Sequence, residues 1–276
     1  MSHFASEHLV DDRSKIGTYA LSRLHSMLLF ACRHTPLGRG RGKWIARDFI
    51  LRNHGEIVDS TLYGSPARFY LRGNLCEWKA FVKPKSYDPL ERKLVKRAME
   101  KHDAVFIDIG ANIGMYSISA AKDARLDARI IAFEPHPITF RRLQFNVKKL
   151  PLPLIQLYQV ALGDRDGLTQ LSTNDLSFSS VLNAGDGEGV PMRRLLTCLS
   201  ELDVNHIDVL KIDVEGFEDY VLGDFLDNAP SNLIPKTVII EDLARQNWKR
   251  DCIEMFEKRG MKIIGRKNNN TFLALV

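Results

Sequence analysis

Asp108-Ile109-Gly110-Ala111-Asn112-Ile113-Gly114 stands between a short apolar run and a helical stretch. Glycine in such a turn lets the backbone bend sharply and approach a ligand closely. The start of the helix adds unpaired N–H groups and partial positive charge. In a doubly wound sheet this is a cofactor position, outside the carboxyl ends of the strands. The dinucleotide fingerprint would put glycines at 110, 112 and 115, whereas this chain has Gly110, Asn112 and Met115. A pyrophosphate needs the close backbone approach that the missing glycines would supply. No Gly-Lys-Ser or Gly-Lys-Thr occurs, so a P-loop is absent too. A nucleoside cofactor without phosphates fits better. Glu134 ends the next apolar run, 24 residues beyond Gly110, where an acid can accept both hydroxyls of a ribose.

Such residues need a scaffold to position them. Five apolar runs, Ala104–Ile109, Ala128–Phe133, Leu154–Leu162, Ile207–Ile212 and Lys236–Ile240, mostly alternate with helical stretches. Phe140, Leu143, Val147 and Leu150 make one amphipathic stripe, and Trp248, Cys252 and Phe256 another. Alternation of this kind predicts an α/β fold with a parallel sheet covered on both faces. Met261–Gly265, the turn-like Asn268-Asn269-Asn270 and Thr271–Val276 predict a terminal hairpin, so the last strand pair is antiparallel. Residues 168–200 break the alternation and read as an inserted hairpin or lid; residues 172–189 carry Gly185, Gly187 and Gly189.

Upstream, Ile16, Ala20, Leu24 and Leu28 recur at spacing four and predict a helix. Arg33–Gly42, with Pro36 and three glycines, reads as a loop. Short β-leaning runs follow at Ile57–Val58, Arg68–Leu71 and Trp78–Val82. A helix should then open at Pro89, with Asp88 as its cap, Glu91 completing a capping box, and Leu90, Leu94 and Ala98 along one face. This divides the chain into an N-terminal α+β extension, residues 1–100, and a cofactor-binding domain, residues 101–276.

Of 276 residues, 45% are apolar and 26% charged, which excludes long disorder, collagen and coiled coil as the main architecture. Cys32, Cys76, Cys198 and Cys252 lie far apart with no C-x-x-C pair, which fits a reducing, cytoplasmic setting better than a disulfide framework or zinc site. No apolar run approaches the roughly 18 residues of a membrane span. Met27–Cys32 is too short, and lacks the cleavage site, for a signal peptide. The net charge of +5 is uneven: residues 1–100 hold 18 basic and 10 acidic side chains, and the remainder is slightly acidic. Arg39, Arg41, Lys43 and Arg47 lie in the densest basic stretch. Either an anionic partner or a plain solvated face accounts for it. Without an interleaved motif, the solvated face is the expectation.

Five stretches resemble the FkbM family of class I S-adenosylmethionine-dependent methyltransferases: FIDIGANIGMYS (106–117), IIAFEPHPITFRRLQFNV (130–147), VALGDRDG (160–167), DVLKIDVEGFE (208–218) and TVIIED (237–242). Ser177-Phe178-Ser179-Ser180 is similar to the family's serine-containing segment before strand four. The resemblance covers roughly residues 100–245. It implies a Rossmann-like seven-stranded sheet of order 3-2-1-4-5-7-6, strand seven antiparallel, with S-adenosylmethionine as methyl donor. By the same resemblance Asp108, Gly110, Asn112 and Gly114 surround the methionine and ribose portions, Glu134 holds the ribose, Ala161 and Leu162 lie near the adenine, and Asp213 stands near the transferable methyl.

Methyl transfer to an alcohol requires alignment and loss of a proton, so a positioned base is useful. Asp213 is the first candidate because it ends a central strand, followed by Glu215, at the opening of the next helix, and His136, after Pro135. Asp213 with Glu241 and Asp242 would offer magnesium the hard oxygen ligands it takes. The metal-free reading, with one acid as base, is preferred. The expected activity is O-methylation of a sugar, glycan or other natural-product hydroxyl, with a small-molecule or glycan acceptor and a possible homo-oligomer. A nucleic-acid methyltransferase and a non-catalytic cofactor-binding module are the alternatives. The basic first segment motivates the former, but no Asn-Pro-Pro-Tyr-type motif follows strand four.

Overall fold

The computed structural model describes residues 10–38, 40–72, 74–148, 150, 155–171 and 189–275. In chain order the elements are α1 (Arg23–His34), α2 (Gly42–Asn53), β1 (Ile57–Leu62), β2 (Ser65–Tyr70), α3 (Leu75–Val82) and α4 (Pro89–Met99). Then come β3 (Val105–Ile109), α5 (Met115–Asp123), β4 (Arg129–Phe133), α6 (Pro137–Val147), β5 (Ile155–Tyr158), β6 (Ala161–Gly163) and β7 (Gly167–Thr169). The chain continues through β8 (Val190–Arg194), α7 (Leu195–Glu201), β9 (Val209–Ile212), α8 (Glu218–Asn228), β10 (Thr237–Glu241), α9 (Cys252–Lys258), β11 (Met261–Lys267) and β12 (Asn270–Leu275).

The main sheet runs β11-β12-β10-β9-β3-β4-β5. Counting only its own strands, this is the expected order 3-2-1-4-5-7-6. β3, β4, β5, β9 and β10 pair in parallel, while β12 is antiparallel to both β10 and β11. β3 and β9 lie side by side although α5, β4 and α6 intervene in the chain, so the sheet's switch point falls between them. Every residue of β3 and β9 is buried, as short apolar runs in a two-faced sheet require. Phe106 packs on one face with Trp78, Phe81, Met99 and Ile118. Ile107 and Ile109 pack on the other with Phe225, Ile253 and Phe256.

The N-terminal extension shares the first of these cores, which runs from Leu29 and Ile50 through Phe69 to Phe272. Two buried ion pairs reinforce it. Arg68 Nε donates to Asp59 Oδ1 at 2.7 Å, and Arg142 of α6 donates to Glu77 of α3 at 2.5 Å. Removing one partner of such a pair costs about 3–5 kcal/mol, because the other charge is left buried alone.

Several local expectations fail, each for a visible reason. The first helix starts at Arg23, not near Ile16: Gly17 sits at φ +100°, Ser22 caps the helix, and Leu24 is 62% exposed while His25, Leu29 and Cys32 face inward. α2 forms within the basic stretch, where no helix was expected. Trp78–Val82 belongs to helix α3, because the Asn74 side chain accepts from the Glu77 amide and Trp78, Phe81 and Val82 are buried together. Asp88 precedes Pro89 as predicted but does not cap α4; at φ +41° its carboxylate instead accepts from the Tyr116 hydroxyl at 3.0 Å. Glu91 is buried and accepts from Asn270, leaving no capping box, and Leu90 is exposed. The single strand expected over 154–162 divides in two: β5 stays in the main sheet, whereas β6 pairs with β8 in a separate three-stranded sheet with β7. The lid expectation for 172–189 and the serine segment 177–180 fall almost wholly outside the described residues.

Candidate active site

Three parallel strand ends are tied together by backbone groups. The amides of Gly110 and Ala111 both donate to the Phe133 carbonyl at 3.0 Å, and the Asp213 amide donates to the Ile109 carbonyl at 3.2 Å. Gly110 has φ +71°, and a Cβ there would lie 1.9 Å from the Asp213 carbonyl oxygen. No other residue type fits that approach without displacing β9. Asn112, at φ +53°, accepts through its side-chain oxygen from the Ile113 amide and from Asn74 Nδ2, both at 2.9 Å. Asn74 thus links the N-terminal extension directly to this turn.

Glu134 spans the same turn. Its carboxylate accepts from the Asn112 amide at 2.9 Å and from the His136 amide at 3.0 Å. It is only 7% exposed. Burial pushes its carboxyl up to about 7, although the two amides oppose the shift.

A cavity of about 330 Å³ opens over these strand ends. Gly110, Asn112, Glu134, Ala161, Leu162, Asp213 and Glu215 all line it. Seven of the ten sequence candidates therefore meet at one cavity, while Asp108, Gly114 and His136 are not in its wall. Asp108 is fully buried beneath; its carboxylate accepts from Ser117 Oγ at 2.6 Å. Gly114 precedes α5 at φ +94°. His136 is the N-cap of α6: its Nδ1 accepts from the Thr139 amide, and burial lowers its pKa to about 4.

Lys211 is the residue that sequence reasoning passed over. It lies in the wall between two acids, its Nζ 3.8 Å from Asp108 Oδ1 and 3.7 Å from Asp213 Oδ2, and donates to the Gly110 carbonyl at 3.0 Å. Burial acts to discharge this amine, but Asp213, Asp108 and Glu241 outweigh it and hold the pKa above the ordinary lysine value. Its signal was available: one lysine in the otherwise apolar, wholly buried run Val209–Ile212.

A second cavity, of about 390 Å³, adjoins the first. Asp213, Glu215, Glu241 and Tyr116 border both. Burial, and then the neighbouring Asp213, push the carboxyls of Glu215 and Glu241 upward. Asn268–Asn270, the predicted hairpin turn, closes part of this second space. Among the described residues no group of three or more His, Cys, Asp or Glu side chains is arranged to hold a metal ion. No helix among them is long and apolar enough to cross a membrane.

A doubly wound sheet with a glycine turn and an acid at adjacent strand ends is a Rossmann-like fold. A family model for the methyltransferase FkbM domain matches residues 108–261. Hexuronic acid methyltransferase AglP of Haloferax volcanii is 30% identical over 188 residues, 64% of this chain and 72% of its own length. The 2-O-methyltransferase NoeI of Sinorhizobium fredii is 29% identical over 51% of this chain and 65% of its own. The AMB antimetabolite synthetase AmbE of Pseudomonas aeruginosa is 29% identical over 59% of this chain. The match spans 9% of that much longer protein. The chain therefore spans less than two thirds of the length of some of the relatives it matches. It belongs to the FkbM methyltransferase family.

Proposed function

We propose that this protein methylates a hydroxyl of a sugar or glycan, with S-adenosylmethionine as donor. The observation that carries the proposal is the position of Asp213, which borders both cavities at the end of β9. A group there reaches a nucleoside site on one side and a second ligand on the other. When bound, S-adenosylmethionine supplies a methyl carbon on a positively charged sulfur.

This chain's residues do the rest. The Gly110 turn lets backbone approach the ligand, Glu134 accepts the ribose hydroxyls, and Ala161 and Leu162 give the adenine an apolar wall. Asp213 receives the proton of the acceptor hydroxyl. Lys211 anchors Asp213 from below and balances the cluster of acids. Glu215 and Glu241 flank the same position as hydrogen-bond partners. His136 caps its helix and takes no part in proton transfer. The extension, residues 1–100, supplies the acceptor wall through Lys43, Trp78, Lys83 and Tyr87. AglP, named for a hexuronic acid, supports a sugar as acceptor, and NoeI, named for 2-O-methylation, supports transfer to oxygen.

Calorimetry with S-adenosylhomocysteine, followed by transfer of labelled methyl to a panel of sugars, tests the proposal. Cofactor-product binding with label recovered as a methyl ether is expected. No binding, or label recovered only on nitrogen or carbon, overturns it.

A further inference from the structure

The second cavity carries opposite charges on its walls. Asp213, Glu215 and Glu241 border the part it shares with the nucleoside site, as does Lys79 of α3. Lys43 of α2 and Lys83, just after α3, line the second cavity alone, as does Asp88, whose carboxylate accepts from the Tyr116 hydroxyl at 3.0 Å. None of the three lysines forms an ion pair or side-chain hydrogen bond with any described residue. Lys43 Nζ stands 5.2 Å from the Trp44 ring, which holds it without neutralising it.

The fully buried cations each have a carboxylate. Arg68 has Asp59, Arg142 has Glu77, and Lys211 has Asp108 and Asp213. Lys43 and Lys83 are both half-buried yet have no counterion among the described residues. Partial removal from water without a partner is unfavourable, and a ligand anion would relieve it.

We propose that the acceptor is an anionic sugar, bearing a carboxylate or a phosphate, and that Lys43, Lys79 and Lys83 hold the anionic group. Asp213, Glu215 and Glu241, at the shared end, repel that group and accept hydrogen bonds from hydroxyls, so the excess of acid at that end sets the acceptor's direction. The inference rests on the methyltransferase reading for its choice of cavity. It also makes three lysines of the basic first segment a binding surface, in place of the solvated face expected there.

Ligand-observed NMR titration of the full chain with glucuronate, glucose 6-phosphate and glucose tests it. The two anions should bind about ten-fold more tightly than glucose at low salt, and that preference should shrink as salt rises to about 0.3 M. Comparing glucuronate with glucose 6-phosphate tells a carboxylate site from a phosphate site. The double variant Lys43→Gln, Lys83→Gln should lose the preference while keeping its thermal transition and its affinity for S-adenosylhomocysteine. Equal binding of charged and neutral sugars by the wild type, or a preference that survives in the variant, overturns the proposal. Failure of S-adenosylhomocysteine to bind would instead defeat the methyltransferase reading, and leaves the sugar titration interpretable by itself.

Discussion

The two halves of the cleft are built in different ways. The half proposed for the nucleoside is largely backbone: the Gly110 turn, the Phe133 carbonyl, and the Asn112 and His136 amides around Glu134. Its glycine turn and its acid lie within 30 residues of one another in the chain. The half proposed for the acceptor is assembled from side chains of α2, α3, the segment after α3, the ends of β9 and β10, and the β11–β12 turn. On the proposed reading, a change of acceptor would alter the side chains of one half and leave the backbone turn of the other in place.

Three perturbations can break or sharpen this contrast. The largest effect is expected where the halves meet. Asp213→Asn should lower the transfer rate about 10²- to 10⁴-fold, the usual value of a positioned base, with S-adenosylhomocysteine affinity nearly unchanged. Intact turnover with weakened binding would move Asp213 into the nucleoside half.

Next is Gly110→Ala, which puts a Cβ against the Asp213 carbonyl at positive φ. The strain should cost about 2–5 kcal/mol, read by denaturant unfolding, with cofactor binding reduced in parallel. Full stability in that variant would mean that the close approach is not required.

The smallest effect is at Glu134. Glu134→Ala removes a charged acceptor and should weaken cofactor binding about ten- to a hundred-fold. The wild type should also show a pH signature. Burial raises this carboxyl to about 7 in the free protein, and only the ionised form accepts two hydroxyls. Binding then favours loss of the proton. Affinity should be full above pH about 7 and fall by up to about ten-fold per pH unit below it. Calorimetry between about pH 5.5 and 8.5 should find that slope in the wild type and none in Glu134→Gln. A flat wild-type profile would remove Glu134 from the ribose role.

What was readable in the residues follows the same division. The alternating strands, the terminal hairpin and the glycine–acid pair at 110 and 134 could be read directly, because each depends on short runs and local spacing, whereas the strand order came only through the family resemblance. The errors came where packing overruled local preference. Trp78–Val82 has the composition of a strand, but Asn74 caps a helix there and the aromatic rings pack into the shared core. Asp88-Pro89 has the form of a helix cap, yet Tyr116 takes the carboxylate. Lys211 was visible as a lone charge in a buried strand, but its partners lie on β3 and beyond the end of β9, so its purpose appeared only after the sheet was assembled.

From the sequence alone came the alternating strands and helices and the glycine turn at 110, since φ freedom at glycine and the burial of short apolar runs act between near neighbours, and the family came from the resemblance of five stretches. Tertiary structure alone decided which charges share a cavity. Lys43 and Lys83 face Asp213 and Glu241 across well over a hundred residues of chain, and nothing short of the packed fold brings such distant charges within range of one another.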